Sequence, residues 1–103
     1  MQVHVTLYGA LRVAAGRQAI DLSFDAPSIT MIQLLNALVV IHPRIRPYLL
    51  AKSAENLHPD IRILINGTRA KPDLTLSRSL YDHDRVTFLA PIVGGNIRSP
   101  LNL

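Results

Sequence analysis

Leu80-Tyr81-Asp82-His83-Asp84-Arg85-Val86-Thr87-Phe88-Leu89-Ala90-Pro91-Ile92-Val93-Gly94-Gly95 contains, in order, a turn, a strand and a slim outlet. The short polar side chains of Asp82-His83-Asp84 suit a turn. Val86-Thr87-Phe88-Leu89-Ala90 then alternates, which puts Val86 and Phe88 on one face and Thr87 and Leu89 on the other. Pro91 fixes φ and removes a backbone donor, so it suits a strand end. Gly94 and Gly95 lack a Cβ, which lets the chain extend and thread closely past another backbone. Taken in isolation, a glycine pair also reads as a flexible hinge.

Residues 96–103, Asn-Ile-Arg-Ser-Pro-Leu-Asn-Leu, carry no periodicity and read as an appended tail. Upstream, Ile61-Arg62-Ile63-Leu64-Ile65 is a β-branched strand bounded by the tight-turn dipeptide Asn66-Gly67. A polar crossover with Leu74, Leu76 and Leu80 as buried pins joins it to the closing strand.

The helix lies earlier. Thr30-Met31-Ile32-Gln33 fits a capping box, and Ile29 and Leu34 occupy the positions of a hydrophobic staple. Met31, Leu34, Leu35, Leu38 and Ile41 give an apolar stripe at helical spacing. Pro43 disfavours helical geometry at His42, so the helix should end there. Pro47 and Pro59 punctuate a short turn or helix and a loop. At the start of the chain, Gln2 to Tyr8 alternates strictly, with Val3, Val5 and Leu7 on one side and His4, Thr6 and Tyr8 on the other. Ala19 to Asp25 repeats the pattern, with Ile20, Leu22 and Phe24 inward. Gly9 to Gln18 between them reads as the long loop of a hairpin.

A chain of 103 residues is one domain with a modest core. Its 49% apolar and 17% charged residues exclude a disordered chain. The absence of cysteine excludes disulfides, thiolate metal sites and a cysteine nucleophile. No apolar run is long enough for a membrane span and no signal peptide is evident, so a cytoplasmic location is expected, with no membrane partner. The net charge of +4 rests on nine arginines and two lysines that look scattered along the sequence. We read them, Arg44 and Arg46 included, as a solvated surface and expect no nucleic-acid partner. His4, His42, His58 and His83 do not fall at metal-ligand spacing, and His83 between two aspartates reads as a solvated turn, so no metal site is expected.

The order strand, strand, helix, strand, crossover, strand, followed by Pro-Ile-Val-Gly-Gly, resembles the ubiquitin-like sulfur carriers, and most of all the small subunit of molybdopterin synthase. The segments that carry the resemblance are Tyr8-Gly9-Ala10-Leu11-Arg12 through Gly16, Thr30…Leu34-Leu35…Leu38…His42-Pro43, Ile65-Asn66-Gly67 and Leu80 to Gly95. It implies an α+β, ubiquitin-like β-grasp fold, a mixed four- or five-stranded sheet packed on one main helix. Residues 1–95 would form the domain and residues 96–103 a flexible extension.

What the resemblance implies about function is a carrier acted on by other proteins, with no catalytic residue of its own. A ubiquitin-activating-type adenylating enzyme would use ATP to couple the Gly95 carboxylate to AMP. Sulfide or a persulfide would then displace AMP to leave a thiocarboxylate. No cofactor would be bound. Sulfur would pass to an accepting enzyme, so the sulfur-carrying residues would be Gly94 and Gly95. The chain departs from the family in continuing past Gly95, whose carbonyl is therefore an amide to Asn96. Either a processing protease cuts between Gly95 and Asn96 or the pathway has been lost. A second departure is His83, where the family's turn carries glycine. First and last strands are parallel neighbours in a β-grasp sheet, so Tyr8 and Leu89 should lie exposed together near Pro91, Ile92 and Val93 as a partner-binding patch. Two other readings stay open: a ubiquitin-like modifier joined through Gly95 to a target lysine, and an interaction domain that is never conjugated.

Overall fold

The computed structural model describes residues 1–51, 57–71 and 75–91. Gln2–Gly9 forms β1, Ala10–Ala15 α1, Ala19–Ser23 β2 and Ser28–Thr30 β3. The main helix α2 spans Met31–Ile41 and is followed by a 3₁₀ turn at Pro43–Ile45 and the short α3 at Arg46–Leu49. Arg62–Ile65 is β4, Thr68–Arg69 β5, Ser79–Tyr81 β6 and Arg85–Ala90 β7. Strands β2-β1-β7-β4-β5 make a five-stranded sheet, and β3 pairs with β6 in a small second one. β1 runs parallel to β7 while its other neighbour, β2, is antiparallel, so the sheet is mixed. This is the ubiquitin-like β-grasp architecture.

Alternation decides which face of each strand is buried. Val3, Val5 and Leu7 of β1, Ile20 and Leu22 of β2, Ile63 and Ile65 of β4, and Val86 and Phe88 of β7 are all buried. They meet Met31, Leu34, Leu35 and Leu38 from one side of α2, all fully buried. The capping box is present in full. Gln33 N donates to Thr30 Oγ1, and Thr30 N donates to Gln33 Oε1 at 2.8 Å. Two more donors of the first turn find carbonyls outside the helix, Met31 N on Arg78 O and Ile32 N on Leu76 O. These bonds satisfy groups that a helix start otherwise leaves to solvent.

Several expectations need correction. Gly9–Gln18 is not a plain loop, because Ala10–Ala15 is a helix that buries Leu11 and ends on Gly16 in the left-handed region, φ 75°. Strand β2 stops at Ser23, leaving Phe24 half-buried beyond it. Ile41 is exposed rather than part of the apolar stripe. It is the last residue of α2, and the chain turns away at His42-Pro43. Leu76 is half-buried and Leu80 buried, whereas Leu74 lies outside the described residues.

Candidate functional site: the outer sheet face and the root of the tail

The parallel β1–β7 ladder places Tyr8 opposite Leu89 and Gly9 opposite Ala90. Tyr8 and Leu89 belong to the set of side chains that turns away from α2, and each keeps about two fifths of its surface in solvent, 41% and 43%. On the other side of Leu89 stands Arg62 of β4, its antiparallel partner. Leu64, also exposed, lies next along the same face of β4.

Gly9 holds this corner together. Its φ is +69°, a region that L side chains rarely adopt. A Cβ built on Gly9 would fall 1.9 Å from the carbonyl oxygen of Ala90. The backbone of Gly9 therefore occupies the space where any side chain would push on Ala90, the last residue of β7. Ala90 is buried and Pro91, the last described residue, is exposed. The glycine thus fixes the position of the end of β7. Sequence reading placed Gly9 at the start of a connection and in a segment that carries the family resemblance, and gave it no packing role. The signal missed was that its register partner is the final residue of the closing strand.

The opposite end of the sheet is held by polar contacts. Asn66 and Gly67 have φ of 52° and 84°, as the two-residue hairpin between β4 and β5 requires. The Asn66 side chain also accepts from Arg85 N at 2.9 Å and donates to Asp84 Oδ1 at 3.0 Å, fastening the hairpin to the start of β7. His83 adopts φ 65°, in the left-handed region. Its Nδ1 lies 3.3 Å from His4 Nε2, and His4 Nδ1 is 2.8 Å from Asp21 Oδ1. The ring centroids are 5.5 Å apart, which with the nitrogens so close means that the rings meet edge to edge. Asp82 Oδ1 accepts from Gln2 N at 2.7 Å. That bond, helped by His83 and the chain's amino terminus, holds the Asp82 carboxyl below its ordinary range. These groups knit β1, β2 and the β6–β7 turn together, at the end of β7 opposite Ala90.

Tyr8, Leu89 and Pro91 are thus brought to one corner of the molecule. Ile92, Val93, Gly94, Gly95 and Asn96 lie outside the described residues. Sequence reading did not find Leu64, Arg62, Arg69 and Arg85 as companions of this face. Alternation in β4 could have placed Leu64 and Arg62 outward, but bringing Arg69 and Arg85 beside them needs the strand register. The arginines that look scattered along the sequence are partly gathered by the fold.

No helix among the described residues is long and apolar enough to cross a membrane. A comparison with curated proteins finds no match. Among solved structures, the chain is similar to the small archaeal modifier protein 1 (SAMP1) of Methanosarcina acetivorans. That likeness has 31% identity and a TM-score of 0.73, over 91% of this chain and 96% of that one. It is also similar to SAMP1 of Haloferax volcanii, at 25% identity and TM-score 0.78, over 92% and 100%. The BexX/CysO complex of Amycolatopsis orientalis shares the fold, at 22% identity and TM-score 0.72 over 90% and 99%. The ThiS family model matches residues 5–95. With nearly the whole β-grasp domain inside that match, the chain belongs to the ThiS family, whose fold is that of the ubiquitin-like sulfur carriers and modifiers.

Proposed function

We propose that this chain is the precursor of a sulfur carrier, activated at Gly95 once the residues after it have been removed. The observation that carries the reading is the reach of the family match, which runs from residue 5 to residue 95 and so ends on the second glycine. Residues 96–103 stand outside it. A protease that cuts the Gly95–Asn96 amide with water frees the Gly95 carboxylate. One carboxylate oxygen then attacks the α-phosphorus of ATP on an adenylating enzyme, and pyrophosphate leaves. Sulfide or a persulfide sulfur adds to the resulting acyl carbon, AMP departs with the bonding pair, and a thiocarboxylate remains after any persulfide S–S bond is reduced by a thiol. On a sulfur-accepting enzyme the thiocarboxylate sulfur attacks the acceptor, water then adds to the acyl carbon and the C–S bond breaks, and the carrier returns as a carboxylate. ATP is consumed by the activating enzyme and the carrier itself holds no cofactor.

The chain's own contribution is positional. Tyr8 and Leu89, with Pro91, Ile92 and Val93 beyond them, give the activating or accepting protein a surface to grip. Gly94 and Gly95 are slim enough to enter a narrow active site. Incubating the full chain and a chain ending at Gly95 with an adenylating enzyme, ATP and a sulfur donor tests this. The shortened chain should gain the mass difference between sulfur and oxygen, and the full chain should gain nothing. Sulfur uptake by the full chain would refute the processing step, and none by the shortened chain would refute the carrier reading.

The 31% identity to a protein titled a small archaeal modifier supports a second reading, conjugation of Gly95 to a lysine of a target protein. Both readings use the same acyl-adenylate and differ in the nucleophile that displaces AMP. A lysine-linked Gly95 adduct recovered from cells would favour this one.

A further inference from the structure

The five-stranded sheet turns one face to α2 and the other to solvent, and the solvent face carries a one-sided charge. Tyr8, Leu89 and Arg62 stand side by side across β1, β7 and β4. In the next row Leu64 faces Arg69 across the β4–β5 hairpin. The bond from Ala70 N to Ile63 O at 2.9 Å continues that hairpin, and with Ala70 buried, alternation returns the exposed Lys71 to the outer side. Arg85 opens β7 on the same face. Strands β1, β7, β4 and β5 contribute no carboxylate at all. Asp21 of β2, at the far edge, is engaged by His4. Among the described residues, no ion pair involves Arg62, Arg69, Lys71 or Arg85.

Four cations that form no ion pair among the described residues, on one face with three exposed apolar side chains, repel one another and attract acid. We infer that the protein docking on this face presents an apolar patch ringed by carboxylates on the side that meets β4 and β5. This deepens the carrier reading and rests on it. Burial of Tyr8, Leu64 and Leu89 supplies affinity, while the carboxylates opposite Arg62, Arg69 and Lys71 speed encounter and set orientation. Orientation matters because Arg62, Arg69 and Lys71 lie to the β4–β5 side of Tyr8 and Leu89. A partner turned the other way over the sheet leaves them unmatched. Single-stranded nucleic acid is the other polyanion such a face could attract, but base stacking draws on several free aromatics, and among the described residues of β1, β7, β4 and β5 the outer face offers Tyr8 and the imidazole of His4, which is engaged by Asp21.

The test follows association with the adenylating enzyme encoded in the same genome, by stopped flow over a range of salt. Arg62→Glu with Arg69→Glu is compared with Arg44→Glu and Arg46→Glu, which change net charge equally but lie on the 3₁₀ turn and α3 beyond α2. All four arginines are exposed, and a thermal melt of each variant verifies folding. The β4–β5 pair should slow association at low salt by about tenfold or more and flatten its salt dependence, and the control pair should do far less. Equal effects of the two pairs, salt-independent association, or displacement of the enzyme by a short single-stranded oligonucleotide would overturn the inference. Unimpaired thiocarboxylate formation by the Arg62→Glu/Arg69→Glu chain ending at Gly95 would sink this inference alone. Wild-type binding through this face with no sulfur uptake would sink the carrier reading alone.

Discussion

Gly9 joins two demands at one position, a left-handed backbone and the absence of a side chain against Ala90 O. Gly9→Ala should therefore cost about 3 kcal/mol or more, from backbone strain together with overpacking against a main chain that cannot yield cheaply. Denaturant unfolding measures it, and a loss below about 1 kcal/mol would mean that the β1–β7 corner relaxes more easily than its geometry implies. Asp82 makes a pH prediction. Its folded pKa is lowered, chiefly by the Gln2 N–H, so the folded state binds its proton less readily than the unfolded state does. Its stabilisation is present above the unfolded carboxylate pKa and is lost as pH falls through the lowered folded value. In Asp82→Asn, thermal midpoints should decline less steeply on acidification than in the wild type. An unchanged slope would assign the acid sensitivity to other carboxylates.

At the level of elements, what was legible followed from period and capping. The alternation of β1, β2 and β7 named the buried face of each strand, and Thr30 and Gln33 marked the start of α2. Thr30→Ala should cost about 1 kcal/mol by removing an acceptor from the helix start. Chemical denaturation checks this, and a neutral result would mean that the bonds from Met31 and Ile32 to the 76–78 segment suffice. The elements that were missed are those too short to show a period. Helix α1 buries a single leucine in six residues between glycines, and β3 and β6 have three residues each. Ile41 misled because helical spacing does not reveal where the chain turns off the sheet. Register was the largest gap. Nothing in the sequence says that Arg62 stands beside Leu89 or that Leu64 faces Arg69, so the basic side of the outer face became visible only in the structure.

For the whole molecule, the fold sets the exposed pair Tyr8 and Leu89 beside the Gly9–Ala90 end of β7 at one corner. If a partner grips that face, Tyr8→Asp or Leu89→Arg should weaken the complex with an adenylating enzyme while leaving thermal stability within about 0.5 kcal/mol of wild type. Unchanged affinity in both variants would place the contact elsewhere. The central claim, however, concerns one atom group, the carboxylate of Gly95. ATP–pyrophosphate exchange by the adenylating enzyme measures its activation alone, without sulfur transfer or conjugation. Chains ending at Gly94, at Gly95 and at Leu103 should be assayed side by side. Exchange should be supported by the chain ending at Gly95, and the chains one residue shorter or extended to Leu103 should stay at background. Exchange supported by the chain extending to Leu103, or none by the chain ending at Gly95, would contradict the account.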